Sequence, residues 1–283
     1  MGEKLRGVIN GNIMNKTYVI GDIHGGYLGL KQVLERSNFD YDNDKLIALG
    51  DVCDGWPDTA ECIEELLKIK NLVYCLGNHD EWARRYLNPN FGEESVLEKM
   101  RREHEYTSWY HQGGAATAES YKKHPGLLEK HVDFLFQGKL YYLDEKNRLF
   151  LHAGFDWDHP IDEQAESTYY WDREMISMVF NPQHETPDLS KYSEIYIGHT
   201  PTLGLHYDPE WVLGKPLNRI NLWAMDTGAT YMGKLSMMEI NTKELFQSDP
   251  MFTLYPKHKG RNGSHLIENS KWNLWGLFPG ENW

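Results

Sequence analysis

Six side chains with nitrogen or oxygen donors recur at glycine-marked points along the chain. Asp22 and His24 lie in Gly21-Asp-Ile-His-Gly25, Asp51 in Gly50-Asp-Val-Cys-Asp54, and Asn78 in Gly77-Asn-His-Asp80. His152 opens His152-Ala-Gly154, and His199 follows Gly198. Asp22 and His24 alternate on one short turn, so both can reach one ion. Asp51 has two oxygens and can bridge two ions. Asn78 adds a neutral oxygen to the second ion, and His152 and His199 complete it. Two metals sharing a carboxylate can generate a hydroxide at neutral pH and clamp a phosphoryl group. The donors are nitrogen and oxygen with no thiolate set, which suits manganese, iron or zinc rather than calcium or a structural zinc knot.

The elements that would position these groups are readable. Residues 16–20, 45–49 and 71–76 are short, β-branched and apolar, and each runs into a motif. Between them, Leu28, Leu30, Val33 and Leu34 form a helical stripe ending near Asn38. Pro57-Asp58 opens a second helix, with Cys62, Ile63, Leu66 and Leu67 on one face. This βαβαβ order places each motif at a strand's carboxyl end, where open α/β sheets bind ligands. Residues 81–137 read as a helical cap broken at Gly113-Gly114. A hairpin is expected around 144–147, then strands at 194–197, 221–225 and 234–240. The fold expected is α/β: ten to twelve strands in two packed mixed sheets flanked by helices, with a helical insertion. Residues 1–249 would form the domain. Residues 250–283, rich in tryptophan, would pack on it as an extension or cover the site.

Bulk properties narrow the function. A net charge of −13 over 283 residues argues against coating nucleic acid. No apolar run is long enough for a membrane helix. Met1–Asn15 shows no signal-peptide core, and three cysteines without CxxC spacing fit a reducing compartment, so a cytoplasmic location is expected. The oligomeric state is not readable.

Taken together, the motifs resemble the calcineurin-like metallophosphoesterases, and within them the serine/threonine phosphoprotein phosphatases, in the branch typified by bacteriophage lambda protein phosphatase and its bacterial relatives. Gly113-Gly114, Trp171-Asp-Arg-Glu174, Gly198-His-Thr-Pro201 and Asp226-Thr-Gly228 extend the match, which runs from about residue 16 to 240. The resemblance implies that Asp22, His24 and Asp51 hold one metal, and that Asp51, Asn78, His152 and His199 hold the other. It implies that His79 protonates the leaving oxygen, that Asp54 fixes the His79 tautomer and raises its pKa, and that Arg173 grips phosphoryl oxygens. Pro201 stands where phosphodiesterases of the superfamily carry a further histidine, which favours a protein-phosphatase ligand set.

The implied activity is hydrolysis of phosphomonoesters by a metal-bridging hydroxide, with manganese the first choice and phosphoserine or phosphothreonine protein the expected substrate. Two rivals remain: a nucleotide-directed phosphodiesterase or diadenosine tetraphosphatase-like hydrolase, and a metal-binding interaction protein without catalysis. One departure bears on the choice. The family pattern GDxVDRG has arginine after its second aspartate, and this chain has Gly55 there. Either Arg84 or Arg85 substitutes, or the substrate brings a cation, or the pocket opens toward a diester or nucleotide. Trp56 beside the gap is a candidate stacking surface for a base, or a core residue. Cys53 and Cys75 read as small core residues.

Overall fold

The computed structural model describes residues 8–9, 12–13, 15–88, 104–202, 205, 214–231 and 233–261. A short antiparallel pair, β1 (Val8–Ile9) and β2 (Asn12–Ile13), precedes the main body. In the first large sheet, β3 (Thr17–Ile20), β4 (Lys45–Ala48) and β5 (Asn71–Tyr74) run parallel. Their connections are helices α1 (Tyr27–Ser37) and α2 (Thr59–Leu66). The second sheet is built alike, with β7 (Arg148–Leu151), β8 (Glu194–Ile197) and β10 (Leu222–Ala224) parallel. Antiparallel strands edge both sheets: β6 (Tyr141–Leu143) and β9 (Leu217–Arg219) on the second, β11 (Ser236–Glu239) and β12 (Leu245–Gln247) on the first.

Strand alternation explains the layering, because successive side chains point to opposite faces. Val19, Ile47, Phe150, Tyr196 and Met238 meet between the sheets. Phe150 stacks on Tyr196 at 4.9 Å, across the β7–β8 pair. The alternate residues face helices. Tyr18, Ile20 and Leu46 pack with Leu30, Val33 and Ile63. Leu149, Ile195 and Leu222 pack with Met175, Ile176 and Val179 of α7 (Glu174–Phe180), beside α6 (Glu166–Trp171). The outcome is the expected two-sheet sandwich flanked by helices.

Helix α3 (Asn78–Leu87) starts directly on the third motif. After it, the helical residues 104–109 pass through a kink at Gln112 and Gly113 into α4 (Ala115–Lys123) and α5 (Leu128–Phe136). Beyond β12, α8 (Met251–Leu254) packs Met251 and Tyr255 into the first core. The tryptophans at 272, 275 and 283 lie outside the described residues.

Candidate metal centre and catalytic site

All six donor side chains are buried where the strand ends of the two sheets meet. Asp22, His24 and Asp51 bring one ligand atom each within 4.8 Å of one another, and so do Asp51, His152 and His199. Asp51 belongs to both groups. Its Oδ2 lies 3.5 Å from Nε2 of His24 and 3.5 Å from Nε2 of His152. Its Oδ1 is held separately, accepting the His79 backbone N–H at 2.9 Å. Asn78 Oδ1 lies 3.1 Å from His152 Nε2, which brings it into the second group.

The loops holding these groups are strained. Among the described non-glycine residues with positive φ are His24, Asp51, Asp54 and His199. Such conformations cost about 1–3 kcal/mol each and persist where surrounding contacts over-determine them. Here the contacts are visible. Asp80 accepts backbone N–H bonds from Val52 at 2.8 Å, Cys53 at 3.0 Å and Gly77 at 3.2 Å, tying two motifs together. The His199 N–H donates to Asp22 at 3.1 Å, tying the first motif to the last. A side chain on Gly77 would collide with the Asp51 carboxylate, which explains the glycine ahead of Asn78.

The donor set fits metal ions on grounds internal to this chain. His24 Nδ1 donates to the carbonyl oxygens of Cys53 at 3.0 Å and Asp54 at 3.1 Å. His152 Nδ1 donates to the Leu49 carbonyl at 2.8 Å. Carbonyls only accept, so in the neutral rings both Nε2 atoms carry lone pairs. Burial keeps the rings neutral: His152 is pushed down to about 4, and His24 well below its ordinary value. Lone pairs therefore face carboxylate and amide oxygens. Acceptor against acceptor is repulsive unless a cation lies between. His199 Nε2 is likewise buried without a hydrogen-bond partner. The carboxyls show the same demand. Burial raises Asp51 to about 7 and Asp226 to about 6, and it raises Asp22 well above the usual range with help from Asp226 and Asp51. Such groups need protons or cations.

His79 stands beside this cluster, its ring 5.0 Å from that of His24. Its Nδ1 meets Asp54 Oδ2 at 2.7 Å, and its Nε2 is buried with no partner. Asp54 is held in turn by Trp109 Nε1 at 2.9 Å and the Thr117 hydroxyl at 2.8 Å, both from the helical insertion. The expected rise in His79 basicity is not what the fold gives. Burial, then the charge of Arg261, holds the imidazole well below its ordinary value. Arg173 donates to the Thr200 hydroxyl at 3.0 Å.

Of the alternatives left open around Gly55, the structure bears on two. Trp56 is a core residue: it is 1% exposed, donates to the Ala229 carbonyl at 2.8 Å and stacks on Tyr255, so it offers a base no open face. Arg84 and Arg85 pair with Glu81 on their own helix, and Arg85 also reaches Glu105 at 3.3 Å, so neither fills the space at Gly55. Cys53 and Cys75 are buried as expected. Unread in the sequence were the placement of Asp226 beside Asp22, and the support from Asp80, Trp109, Thr117 and Thr200. Asp226 did carry a signal, since it follows a strand as the other motifs do.

Comparison with known proteins agrees with this geometry. The family model for calcineurin-like phosphoesterase matches residues 16–210. The chain is 25% identical over 228 residues to serine/threonine-protein phosphatase 1 of Salmonella typhimurium, covering 79% of this chain and 91% of the relative. A 65-residue stretch is 42% identical to a symmetrical bis(5'-nucleosyl)-tetraphosphatase of Proteus mirabilis, but spans only 23% of this chain and 24% of that protein. A crystal structure assigned provisionally as a diadenosine tetraphosphatase superposes with a TM-score of 0.53 at 18% identity, covering 84% of this chain and 95% of the other, a likeness of fold.

Proposed function

The chain belongs to the calcineurin-like phosphoesterase family, and on that premise we propose that it is a phosphomonoesterase acting on phosphoserine or phosphothreonine in protein. The observation that carries the reading is the pair of donor groups sharing Asp51, with the unpartnered Nε2 of His79 beside them. Asp22, His24 and Asp51 would hold one ion; Asp51, Asn78, His152 and His199 would hold the other. Two divalent ions, manganese in this proposal, would supply Lewis acidity toward the phosphoryl oxygens and would lower the pKa of a water so that it gives up a proton to solvent and supplies hydroxide at neutral pH.

The protein's own groups then divide the work. Arg173 holds phosphoryl oxygens, with Thr200 fixing its guanidinium. As the bond from phosphorus to the leaving oxygen breaks, His79 delivers the proton from Nε2 to that oxygen. Asp54 takes the Nδ1 hydrogen bond, so the ring keeps its orientation while Trp109 and Thr117 keep Asp54 in place. Burial, and then the charge of Arg261, disfavours the imidazolium, and the negative charge of a bound phosphoryl group opposes both. Trp82 and Trp171 meet at 5.0 Å; Trp82 lies edge-on to His79 and Trp171 to His199, which gives the leaving-group side an apolar wall.

In this reading residues 1–249 are the catalytic unit, about 81–137 its cap, and 250–283 an extension. No helix among the described residues is long and apolar enough to cross a membrane, and the three free thiols suit a reducing cytoplasm. The nucleotide reading draws on the 65-residue similarity, while the similarity to a protein phosphatase spans most of the chain. Burial of Trp56 weighs against the stacking surface that, together with Gly55, motivated the nucleotide reading. The test is manganese-dependent release of phosphate from a phosphothreonine peptide against hydrolysis of diadenosine tetraphosphate. Peptide turnover with a dinucleotide rate at least tenfold lower supports the proposal. The reverse order assigns the enzyme to nucleotides.

A further inference from the structure

The space at Gly55 is occupied from a distant part of the chain. A Cβ on Gly55 would lie 3.5 Å from Cγ of Arg261, and one on Gly113 would lie 3.1 Å from the same atom. The two glycines adjoin each other, with the Gly55 N–H donating to the Gly113 carbonyl at 3.2 Å. Both have positive φ, +105° and +117°. The Arg261 stem thus runs over a floor made by the second motif loop and by the kink of the insertion.

Its placement is fixed on several sides. The Arg261 N–H donates to the Thr230 carbonyl at 3.1 Å. Its guanidinium lies 5.7 Å over the Tyr231 ring, and Nη2 donates to Gln112 Oε1 at 3.1 Å. Among the described residues Gln112 is the one acceptor that its guanidinium meets. A guanidinium carries five N–H donors, so this contact leaves others to be used. The group is partly exposed, unlike the donor residues beneath it.

The same glycine sets it beside the centre. A Cβ on Gly55 would also lie 3.4 Å from the His24 carbonyl oxygen, and Gly55 directly follows Asp54, whose carboxylate meets His79 at 2.7 Å. Arg173 lies on the other flank, donating to the hydroxyl of Thr200 next to His199. The charges of Asp22, Asp51, Asp54, Asp80 and Asp226 surround the same space, so a cation at its mouth offsets acid repulsion toward a phosphate.

Resting on the function proposed above, we infer that Arg261 binds phosphoryl oxygens of the substrate from the His24–His79 flank, as the partner of Arg173. The clamp is then completed by the segment after the last strand, not by the motif loop at Gly55. Two guanidinium groups suit the dianionic end of a phosphomonoester better than the single charge of a diester.

The test compares wild type, Arg261→Ala and Arg261→Lys, each loaded with manganese, with Lys257→Ala as a control in the same segment. Two quantities are read: kcat/KM for p-nitrophenyl phosphate and bis(p-nitrophenyl) phosphate, and the calorimetric Kd for inorganic phosphate. In Arg261→Ala the monoester kcat/KM should fall about 10- to 100-fold, the diester value less, and phosphate should bind about tenfold more weakly. Lysine should recover part of the loss, and added guanidinium ion should restore Arg261→Ala but not wild type. A merely structural role would lower both esters equally and give no rescue. Phosphate affinity and monoester kcat/KM within twofold of an active wild type would overturn the inference. A wild type that binds phosphate through Arg261 yet hydrolyses neither ester would support the arginine's role and defeat the proposed function instead.

Discussion

The two donor groups that share Asp51 are built differently. The first, Asp22 with His24 and Asp51, comes from the tips of two adjacent parallel strands, 29 residues apart from Asp22 to Asp51. It carries two carboxylates and one imidazole. The second adds Asn78, His152 and His199, whose strands belong to both sheets, and its one carboxylate is the shared one. The first group is local and highly charged; the second is long-range and mostly neutral. Two ions bound here should therefore differ in affinity, with the more acidic group holding its ion more tightly. The second ion should depend on correct packing between the sheets.

The largest effect should come from removing what the groups share. Asp51→Asn should abolish stoichiometric binding of both metals and lower phosphomonoester turnover by about 10⁴-fold, read by metal analysis and steady-state rates. His199→Ala separates the groups. It should retain about one ion per chain and lose about 10³-fold in turnover, while His24→Ala should weaken the tighter site as well. Equal loss of both ions in His199→Ala would mean the groups do not bind independently.

His79→Asn leaves both groups intact. Metal content should stay at two, with turnover of p-nitrophenyl phosphate falling about 100-fold, and less for substrates with better leaving groups. A uniform loss across leaving groups would remove His79 from the acid role. Trp109→Phe, which takes one donor from Asp54, should cost about tenfold in turnover.

The smallest effect is on stability. Asp51 is raised to about 7, and Asp80 and Asp226 to about 6, all chiefly by burial. In the unfolded chain such groups titrate near 4. Between those values these carboxyls hold more protons in the folded, metal-stripped protein than in the unfolded chain, so their contribution to stability falls as pH rises from about 4 to about 7. The buried histidines, held below their ordinary value, oppose this up to about pH 6.5, which leaves the carboxyl effect uncovered above it. Calorimetry should show metal-stripped protein melting a few degrees lower at pH 8 than at about pH 6.5, where the histidines contribute little, with metal raising Tm more at pH 8. A metal-induced rise equal at both pH values would contradict the charge argument.

The same contrast explains what the sequence disclosed. The βαβαβ half is legible because apolar strands, helical stripes and motifs succeed one another within 60 residues. His152 and His199 are legible as strand-end residues, though their convergence depends on two sheets packing through Phe150 and Tyr196. The three-residue edge strands Leu217–Arg219 and Leu245–Gln247 escape notice because short, half-exposed segments carry no clear alternation. Helices α6 and α7 escape for a similar reason, being under eight residues. Trp109 and Thr117 become visible only when the insertion folds over Asp54. Arg261 stands in a Gly- and Lys-rich stretch with no period, and nothing local marks it as reaching Gly55.

The most direct test of the central claim is a titration of metal-stripped protein with manganese, following p-nitrophenyl phosphate and bis(p-nitrophenyl) phosphate hydrolysis at each step. The account expects monoester turnover to climb steeply with the second equivalent, to plateau at two ions per chain, and to exceed diester turnover throughout. A plateau at one ion, a preference for the diester, or two bound ions without turnover would contradict it.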